Sequence, residues 1–197
     1  ENWINNLENI SKTDQINNME AYNFMWPKSL SDGSKFLSSK KIAELRINQI
    51  YELSKKEFNI DPFCEKLILD SGCGPGRYVK VISNYNPKKI IGLDSGKEII
   101  KKNNKDLKEK NISFVNGNSA SLPFKDKEFD FVLSAGVLHH VNMSIEKTIP
   151  EHSRVLKDGG LFFIFIAGKS GMELDVWDFC HKLLNEVPIQ LVHNRFS

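Results

Sequence analysis

Three glycines crowd behind the first apolar run of this chain, and an acid closes that run. The run begins at Leu67 and ends in Asp70, and the glycines are Gly72, Gly74 and Gly76. Residues without a Cβ let the backbone approach a bound nucleotide closely, because a side chain at the turn would collide with the ligand. The segment therefore predicts a strand, a nucleotide-binding turn and a helix.

The spacing of the glycines indicates which nucleotide is bound. A dinucleotide fingerprint has the pattern G-x-G-x-x-G, so a glycine at position 77 would be needed after Gly72 and Gly74. Arg77 stands there instead, and the third glycine comes one residue early. An oxidoreductase with a nicotinamide cofactor is therefore the weaker alternative.

The glycine segment resembles motif I of the class I S-adenosylmethionine-dependent methyltransferases. It reads Leu67-Ile-Leu-Asp-Ser-Gly-Cys-Gly-Pro-Gly. The resemblance implies that Asp70 fixes the turn or meets the cofactor amine through water. It also implies that the turn lies against the methionine moiety and the ribose, through Gly72, Cys73, Gly74 and Gly76. Its backbone N–H groups and the next helix N-terminus would be available to a carboxylate. A tight turn without a ligand is the alternative.

Asp94 closes the second apolar run, at the separation from Asp70 that is expected of a ribose-binding acid. A carboxylate accepts two hydrogen bonds at once, so it can hold both ribose hydroxyls. Ser95, the next residue, belongs to the same predicted cofactor-binding turn. Asp also favours helix N-caps, so capping the following helix is the alternative role of Asp94.

The third apolar run leads into a segment that resembles the G-D-A-x-x-L-P-F pattern of the same family. It reads Asn116-Gly-Asn-Ser-Ala-Ser-Leu-Pro-Phe. The family's acid takes the adenine amino group, and Asn118 replaces it with an uncharged amide oxygen that can accept the same hydrogen bond. The contact should be weaker than that of an acid. Ser119 would offer its backbone N–H to the base.

The fourth apolar run continues into Ser134-Ala-Gly-Val-Leu-His-His-Val, which resembles the S-x-x-V-L-H/E-H-V motif of small-molecule methyltransferases. The resemblance implies that Ala135 is small enough to admit the cofactor and that His139 and His140 lie over the cavity. Either histidine is a candidate general base or substrate ligand, and a structural role is the alternative. No metal site is expected, because adjacent histidines diverge and no third ligand is evident.

Strand and helix patterns alternate from residue 67 to residue 166. They predict an α/β fold, with a doubly wound, Rossmann-like, mostly parallel sheet and helices on both faces. Gly159 and Gly160 are predicted to cap a helix and turn into the fifth strand. The predicted strands are 67–70, 89–94, 111–115, 129–134 and 161–166, and the helices are 38–58, 77–84, 95–110 and 145–156.

We expect one compact domain with three parts. Residues 1–62 form an N-terminal helical cap and a lead-in helix whose apolar positions are Ile42, Leu45, Ile50 and Leu53. Residues 63–170 form the cofactor-binding core, and residues 171–197 form a helical segment on the substrate side. The strand pair that the family adds after the fifth strand is not apparent, so this segment is shortened, it ends early, or another chain completes the edge.

Composition limits the partners. The chain has 197 residues and a net charge of +2, with scattered lysines, so no nucleic-acid partner is expected. The N-P-P-[YF] motif of amino-methylating enzymes is also absent after the fourth strand. No apolar run reaches the roughly 18–20 residues of a membrane span. Three cysteines without C-x-x-C spacing fit a reducing cytoplasm.

The resemblance implies an enzyme that transfers a methyl group from S-adenosyl-L-methionine to a small-molecule acceptor and releases S-adenosyl-L-homocysteine. The attacking atom is an oxygen, a nitrogen or a carbon. We expect a monomer or a homodimer. The alternative is a catalytically silent regulatory or scaffold domain that only binds the cofactor, because the elements after residue 171 look abbreviated.

Overall fold

The computed structural model of the chain describes residues 33–138 and 145–165, with side chains for 40–138 and 148–165. The expected helices and loops before residue 33 and the expected helical segment 171–197 lie outside the described residues. A short 3₁₀ helix, Ser83–Tyr85, follows the second helix. The elements are α1 (Gly33–Phe58), β1 (Leu67–Ser71), α2 (Arg77–Ile82), β2 (Lys89–Asp94), α3 (Lys97–Asp106), β3 (Ile112–Asn116), β4 (Phe129–Ala135), α4 (Ile145–Val155) and β5 (Leu156–Phe165).

The described strands form one parallel sheet in the order β3-β2-β1-β4-β5. The chain runs outward from β1 to β3 and then returns, so that β4 pairs with the other side of β1. Ile68 of β1 is accordingly aligned with Ile90 of β2 and with Phe131 of β4. The direction reverses beside β1, and open parallel sheets bind ligands at such a switch point. The predicted α/β fold is confirmed.

Helices cover both faces of the sheet. One face carries Ile68 and Phe131, which pack in a core with residues of α1, α2 and α3. The opposite face carries Leu69 and Val132, which pack with Val155 of α4. Neighbouring strand residues point to opposite faces, and both faces are buried, so apolar residues stand at consecutive positions of β1, β2 and β4 and do not strictly alternate with polar ones.

The buried face of α1 agrees with the predicted one at Ile50 but not at Ile42 or Leu45. Ala43, Ile47 and Ile50, three and four residues apart, are buried in the core. Ile42 and Leu45 are 45% and 63% exposed, respectively. Apolar spacing predicted a helix, but the side that packs on α2 is set by the tertiary contact and not by the helix alone. The helix also begins at residue 33, ahead of the predicted 38.

The passage from α4 to β5 was predicted wrongly. Helix α4 ends one residue before β5 begins, so Gly159 and the glycine after it lie within the strand and do not cap the helix. Leu156 pairs with Phe129, and the pairing resumes with Leu161 opposite Phe131. The extra residues on β5 form a bulge, and Gly159 with φ +73° supplies its left-handed bend.

The remaining boundaries lie close to the predicted ones. Strands β1 to β4 differ from prediction by at most one residue at either end. Helix α3 is shorter than predicted, because Gly96 before it and Leu107 after it have extended backbone conformations. Among the described helices, none is long and apolar enough to cross a membrane.

Candidate functional site

The turn after β1 holds glycines in backbone conformations that other residues rarely adopt. The φ angles of Gly72, Gly74 and Gly76 are +82°, +50° and +73°. A Cβ added to Gly72 would lie 2.3 Å from Cγ2 of Val137, which follows β4. Glycine is therefore required at position 72 both by its dihedral angle and by the closeness of its neighbour. Residues 72–76 are termed the glycine loop below.

The backbone N–H groups of the glycine loop are already donated to oxygens of the protein. Those of Gly72 and Cys73 reach one carbonyl oxygen of β2 at 2.7 and 2.9 Å, and that of Gly76 reaches the carbonyl of Cys73 at 3.0 Å. The N–H of Gly74 donates to Oδ2 of Asp94 at 2.8 Å. Contrary to expectation, these four groups are not free to bind a carboxylate. The loop offers close backbone contact instead.

Asp94 and Asn103 hold the glycine loop from two sides. Besides Gly74, the carboxylate of Asp94 accepts the N–H of Gly96 at 2.8 Å through Oδ1. The buried amide of Asn103 donates to the carbonyl oxygen of Gly74 at 2.8 Å. A carboxylate has about four acceptor positions, so each oxygen of the half-buried Asp94 can take a further donor. The N-cap of α3 is Gly96, so Asp94 does not cap the helix itself.

The backbone after β2 connects the glycine loop to the turn after β3. The carbonyl oxygen of Asp94 accepts the N–H of Gly117 at 3.0 Å and the amide of Asn116 at 2.9 Å. The same amide donates to the carbonyl of Ser95 at 3.0 Å, and the Ser95 side chain is exposed. The carboxyl ends of β1, β2 and β3 therefore meet at Asp94.

Asp70 is buried in β1 directly before the glycine loop, with 1% of its surface exposed. Its Oδ2 has no hydrogen-bond partner among the residues that the structure describes. Burial raises the pKa of Asp70 to about 7; nearby Arg77 opposes the shift and Asp94 adds to it. A carboxyl group whose pKa lies near neutral, and whose Oδ2 has no hydrogen-bond partner among the described residues, is typical of functional sites.

The turn after β3, residues 117–124, has one exposed and one buried polar side chain at its start. The exposed Asn118 folds back, and its amide oxygen accepts the N–H of Ala120 at 2.9 Å. Ser119 is buried, and its hydroxyl lies 3.0 Å from that of Ser71 at the end of β1. This turn is therefore bound to β1 through side chains and to β2 through the backbone.

The carboxyl end of β4 borders the glycine loop. Ala135 is the last residue of β4, and Val137 follows it into close approach with Gly72. The structure thus brings every predicted cofactor-binding residue to one edge of the sheet. His139 and His140 lie outside the described residues, so their predicted catalytic role stays a prediction.

Two polar residues near this edge were not predicted. Asn103 shares a helical face of α3 with Ile99 and Ile100, so its burial could have been found from spacing. His152 of α4 is fully buried, and its Nε2 lies 2.9 Å from the Ser71 hydroxyl. It lies in the helix predicted over residues 145–156, and no local pattern marks it. Within the described residues, no three His, Cys, Asp or Glu side chains are grouped to hold a metal.

A parallel sheet with a glycine loop at its switch point defines the Rossmann-like class of nucleotide-binding domains. Residues 69–164 match the family model described as Methyltransferase domain. These residues form a methyltransferase domain of the class I S-adenosylmethionine-dependent family.

Similar proteins carry this domain within longer chains. YcgJ of Bacillus subtilis, named a methyltransferase, is 34% identical over 103 residues, which are 51% of this chain and 40% of YcgJ. The crystal structure of YcgJ superposes with a TM-score of 0.52 at 29% identity, covering 67% of this chain and 57% of that one. The chain spans about half the length of the curated relatives it matches.

The relatives whose names state a methyl acceptor are named for very different acceptors. A fatty-acid O-methyltransferase of Mycolicibacterium smegmatis is 26% identical over 148 residues, covering 75% of this chain and 51% of that enzyme. The mouse protein named for tRNA methyltransferase 9B is 29% identical over 113 residues, covering 56% of this chain and 24% of that protein. The family therefore identifies the methyl donor, and the acceptor is a separate question.

Proposed function

We propose that this chain transfers the methyl group of S-adenosyl-L-methionine to a small-molecule acceptor and releases S-adenosyl-L-homocysteine. One observation carries the proposal most. Asp94 joins the glycine loop, through Gly74, to the turn after β3, through Gly117, at the carboxyl edge of the sheet. A nucleoside at that edge would meet all three strand ends at once.

The residues at this edge fit the nucleoside part of the cofactor. The carboxylate of Asp94 has room for two further donors, which matches the two hydroxyls of a ribose. Ser95 would border the same hydroxyls. The amide oxygen of Asn118 uses one lone pair on Ala120, so its other lone pair can accept the amino group of adenine. The backbone N–H of Ser119 would face the base.

The glycine loop fits the methionine part. Positive φ angles at Gly72, Gly74 and Gly76 leave backbone where side chains would stand, and Cys73 lies buried among them. Asp70 would be placed to meet the cofactor amine through water, and an approaching cation would favour its charged form. Ala135 would leave space beside the loop. When bound, the cofactor supplies a methyl group on a positively charged sulfur.

The chain's own contribution would be mainly to position the reactants and exclude water, which needs few obligatory side chains. If the acceptor must lose a proton, His139 or His140 would take it as general base. A small-molecule acceptor is supported by the net charge of +2 and by the mixed signs along α3, where Lys101 and Lys102 pair with Glu98 and Asp106. A nucleic-acid partner would need a broad basic surface.

Cellular location and assembly are part of the same proposal. We place the protein in the cytoplasm, because the three cysteines of the sequence show no spacing that a disulfide framework would use. We expect a monomer or a homodimer.

Binding of S-adenosylhomocysteine tests the donor site. Isothermal titration of the wild-type chain should show binding, and Asp94→Ala should weaken it by about 1–3 kcal/mol because the ribose hydroxyls lose their acceptor. Asp106→Ala is the matched control, since it removes an exposed acid at the end of α3 and should leave the affinity unchanged. Affinity for NADH but not for S-adenosylhomocysteine would overturn the proposal.

Two further measurements separate the roles of Asp94 and of the acceptor. Asp94 also holds Gly74 and Gly96, so urea unfolding of each variant shows whether a lost affinity reflects a damaged loop. Release of S-adenosylhomocysteine should be measured with panels of small molecules and of RNA. Turnover with RNA alone would contradict a small-molecule acceptor. Binding without turnover in either panel would favour the silent cofactor-binding domain.

A further inference from the structure

A row of buried hydrogen bonds runs beneath the candidate site, from α4 through β1 to the turn after β3. Nδ1 of His152 lies 2.8 Å from the carbonyl oxygen of Thr148, and Nε2 lies 2.9 Å from Oγ of Ser71. That hydroxyl lies 3.0 Å from Oγ of Ser119. His152 and Ser71 are 0% exposed, and Ser119 is 7% exposed, so water does not compete for these bonds.

The chemistry of the groups fixes where the hydrogens lie. A carbonyl oxygen can only accept, so Nδ1 of His152 carries a hydrogen and donates it to Thr148. In a neutral imidazole Nε2 is then an acceptor, and the hydroxyl of Ser71 must donate to it. Because Ser71 has one hydrogen, it can only accept from Ser119. The direction of donation is therefore Ser119 to Ser71 to His152 to Thr148.

The surroundings of His152 favour its neutral form. The imidazole stacks on the ring of Phe162, with centroids 5.2 Å apart and planes at 7°. Burial lowers the pKa of His152, although the Thr148 carbonyl and the charge of Glu151 act in the opposite direction. The neutral ring keeps Nε2 as an acceptor at neutral pH, and the direction of donation is preserved.

This chain of bonds ends in the turn that would hold adenine. Ser71 directly precedes Gly72 of the glycine loop, and Ser119 directly follows Asn118. With its hydrogen committed to Ser71, Ser119 has no hydroxyl hydrogen to donate to a base. The N–H of Ala120 holds the side chain of Asn118 in place, and the amide oxygen of Asn118 can accept a hydrogen bond from the base. An acceptor at that place favours the amino group of adenine over the carbonyl group of hypoxanthine.

We propose that His152 is a positioning residue that makes the site selective for a 6-amino purine, by orienting the Ser119 hydroxyl inward through Ser71. The proposal rests on the proposed binding of S-adenosylmethionine. Removing His152 releases the Ser71 and Ser119 hydroxyls, so that Ser119 can turn and donate to a 6-oxo group. The affinity for the ligand that carries adenine then falls. The ratio of that affinity to the affinity for the hypoxanthine analogue falls as well.

Titration calorimetry with two probes tests this role. The probes are S-adenosylhomocysteine and S-inosylhomocysteine, which carries hypoxanthine in place of adenine. His152→Phe keeps an aromatic ring for stacking on Phe162 and should weaken binding of S-adenosylhomocysteine roughly fivefold to tenfold. The ratio of the two affinities should fall by a similar factor. His152→Gln, whose amide can both donate and accept, should recover part of the ratio.

The matched control is Ser134→Ala. Ser134 lies on β4 beside β1, is 0% exposed, and its hydroxyl has no hydrogen-bond partner among the described residues. Removing this equally buried hydroxyl should leave both affinities within about twofold of wild type. In the double variant of Ser71→Ala with His152→Phe, the loss should equal that of one substitution alone, because both break the same chain of bonds.

Each outcome decides between the two proposals. Failure of the wild-type chain to bind either probe would overturn the proposed function and this role with it. Wild-type binding together with an unchanged affinity ratio in folded His152→Phe would overturn the role of His152 alone, as would an equal loss for both probes. If His152→Phe does not fold, Ser71→Ala breaks the chain at its centre and releases the Ser119 hydroxyl, which is then free to donate to a 6-oxo group. Its ratio must fall, and an unchanged ratio would overturn the inference.

Discussion

The glycine loop and the turn at residues 117–124 lie at the same edge of the sheet but are held in different ways. The glycine loop is held largely through its backbone, by positive φ angles and by bonds from β2 and α3. The turn at 117–124 is held by side chains of α4, the helix on the face of the sheet that carries Leu69 and Val132. The conformation of the glycine loop can be predicted from the spacing of its glycines. The conformation of the turn at 117–124 requires contacts between residues distant in sequence.

The α4 contacts form a clamp on the turn at 117–124. The carboxylate of Glu151 accepts the N–H of Leu122 at 2.8 Å. Arg154 donates to the carbonyl oxygens of Leu122 at 3.1 Å and of Phe124 at 2.9 Å, and it pairs with Glu151 at 2.8 Å. This pairing contributes to holding the pKa of the Glu151 carboxyl below its ordinary value, and the Leu122 N–H acts in the same direction. The glycine loop therefore depends mainly on its backbone conformation, whereas the turn at 117–124 depends on side chains of α4 in addition to its backbone bond to β2.

The largest expected effect on the free energy of unfolding is at Gly72, where the glycine-loop backbone accommodates no side chain. Gly72→Ala should lower the free energy of unfolding by about 3 kcal/mol, from the left-handed φ and from the clash with Val137. Gly136→Ala is the control, since Gly136 has φ +75° and, apart from its chain neighbours, no atom of the described residues lies within 4 Å of its Cβ position, and it should cost about 1 kcal/mol. Equal losses in urea unfolding would show that the clash does not matter.

The next largest effect is the pH dependence that Asp70, directly before the glycine loop, gives to the free energy of unfolding. The folded state holds the Asp70 proton up to about pH 7, whereas the ordinary pKa of the group is 3.8. The folded state binds more protons between these values, so the free energy of unfolding falls as pH rises through this window. From about pH 5 to pH 8 the fall attributable to Asp70 should be about 2–3 kcal/mol.

Comparison with Asp70→Asn isolates this contribution, because the amide does not titrate. Urea unfolding of both proteins across the same pH range gives the difference. His152 acts in the opposite direction, since its lowered pKa makes the folded state gain stability as pH rises through the range just below 6.5. It does so in both proteins and cancels. Parallel stability curves would refute a raised pKa at Asp70.

The clamp on the turn at 117–124 should depend on one side chain. Arg154→Ala should lower the free energy of unfolding by about 1–3 kcal/mol, because two backbone carbonyls and Glu151 lose their donor. Lys101→Ala removes an exposed cation paired with Glu98 and should change it by less than about 0.5 kcal/mol. Thermal or urea unfolding measures both. A loss at Arg154 no larger than at Lys101 would mean that α4 does not hold the turn.

The smallest expected change in the free energy of unfolding shows how much the side chain of Asn103 stabilises the glycine loop. Asn103→Ala should cost about 1–2 kcal/mol, because the buried carbonyl of Gly74 loses its donor. Asn104, the next residue of α3, is exposed and donates to the carbonyl of Phe114 at 3.2 Å, so Asn104→Ala should cost less than about 0.5 kcal/mol. Indistinguishable unfolding curves for the two variants would argue against a role of Asn103 in holding the loop.

Local patterns predicted the strands and the glycine loop well for a physical reason. Short apolar runs bounded by turn residues are buried strands when helices separate them, and β1 to β4 lie within one residue of the predicted ends. The positive φ angles at Gly72 and Gly76 are ones that glycine adopts without steric cost, so the turn is compatible with residue type alone. The buried face of α1 was predicted only at Ile50, and the bulge at Gly159 was missed, because each depends on what the segment packs or pairs with.

The sequence by itself determined the order of strands and helices, the glycine loop, and the acid and amide at the ends of β2 and β3. These features depend on apolar period, on dihedral freedom and on residue type at short range. Only the tertiary structure decided that the loop amides are used internally, that Oδ2 of Asp70 is buried with no hydrogen-bond partner in the described part of the chain, and that His152 reaches Ser71 from 81 positions away. Burial and long-range hydrogen bonds arise when distant segments meet, and no local pattern records them.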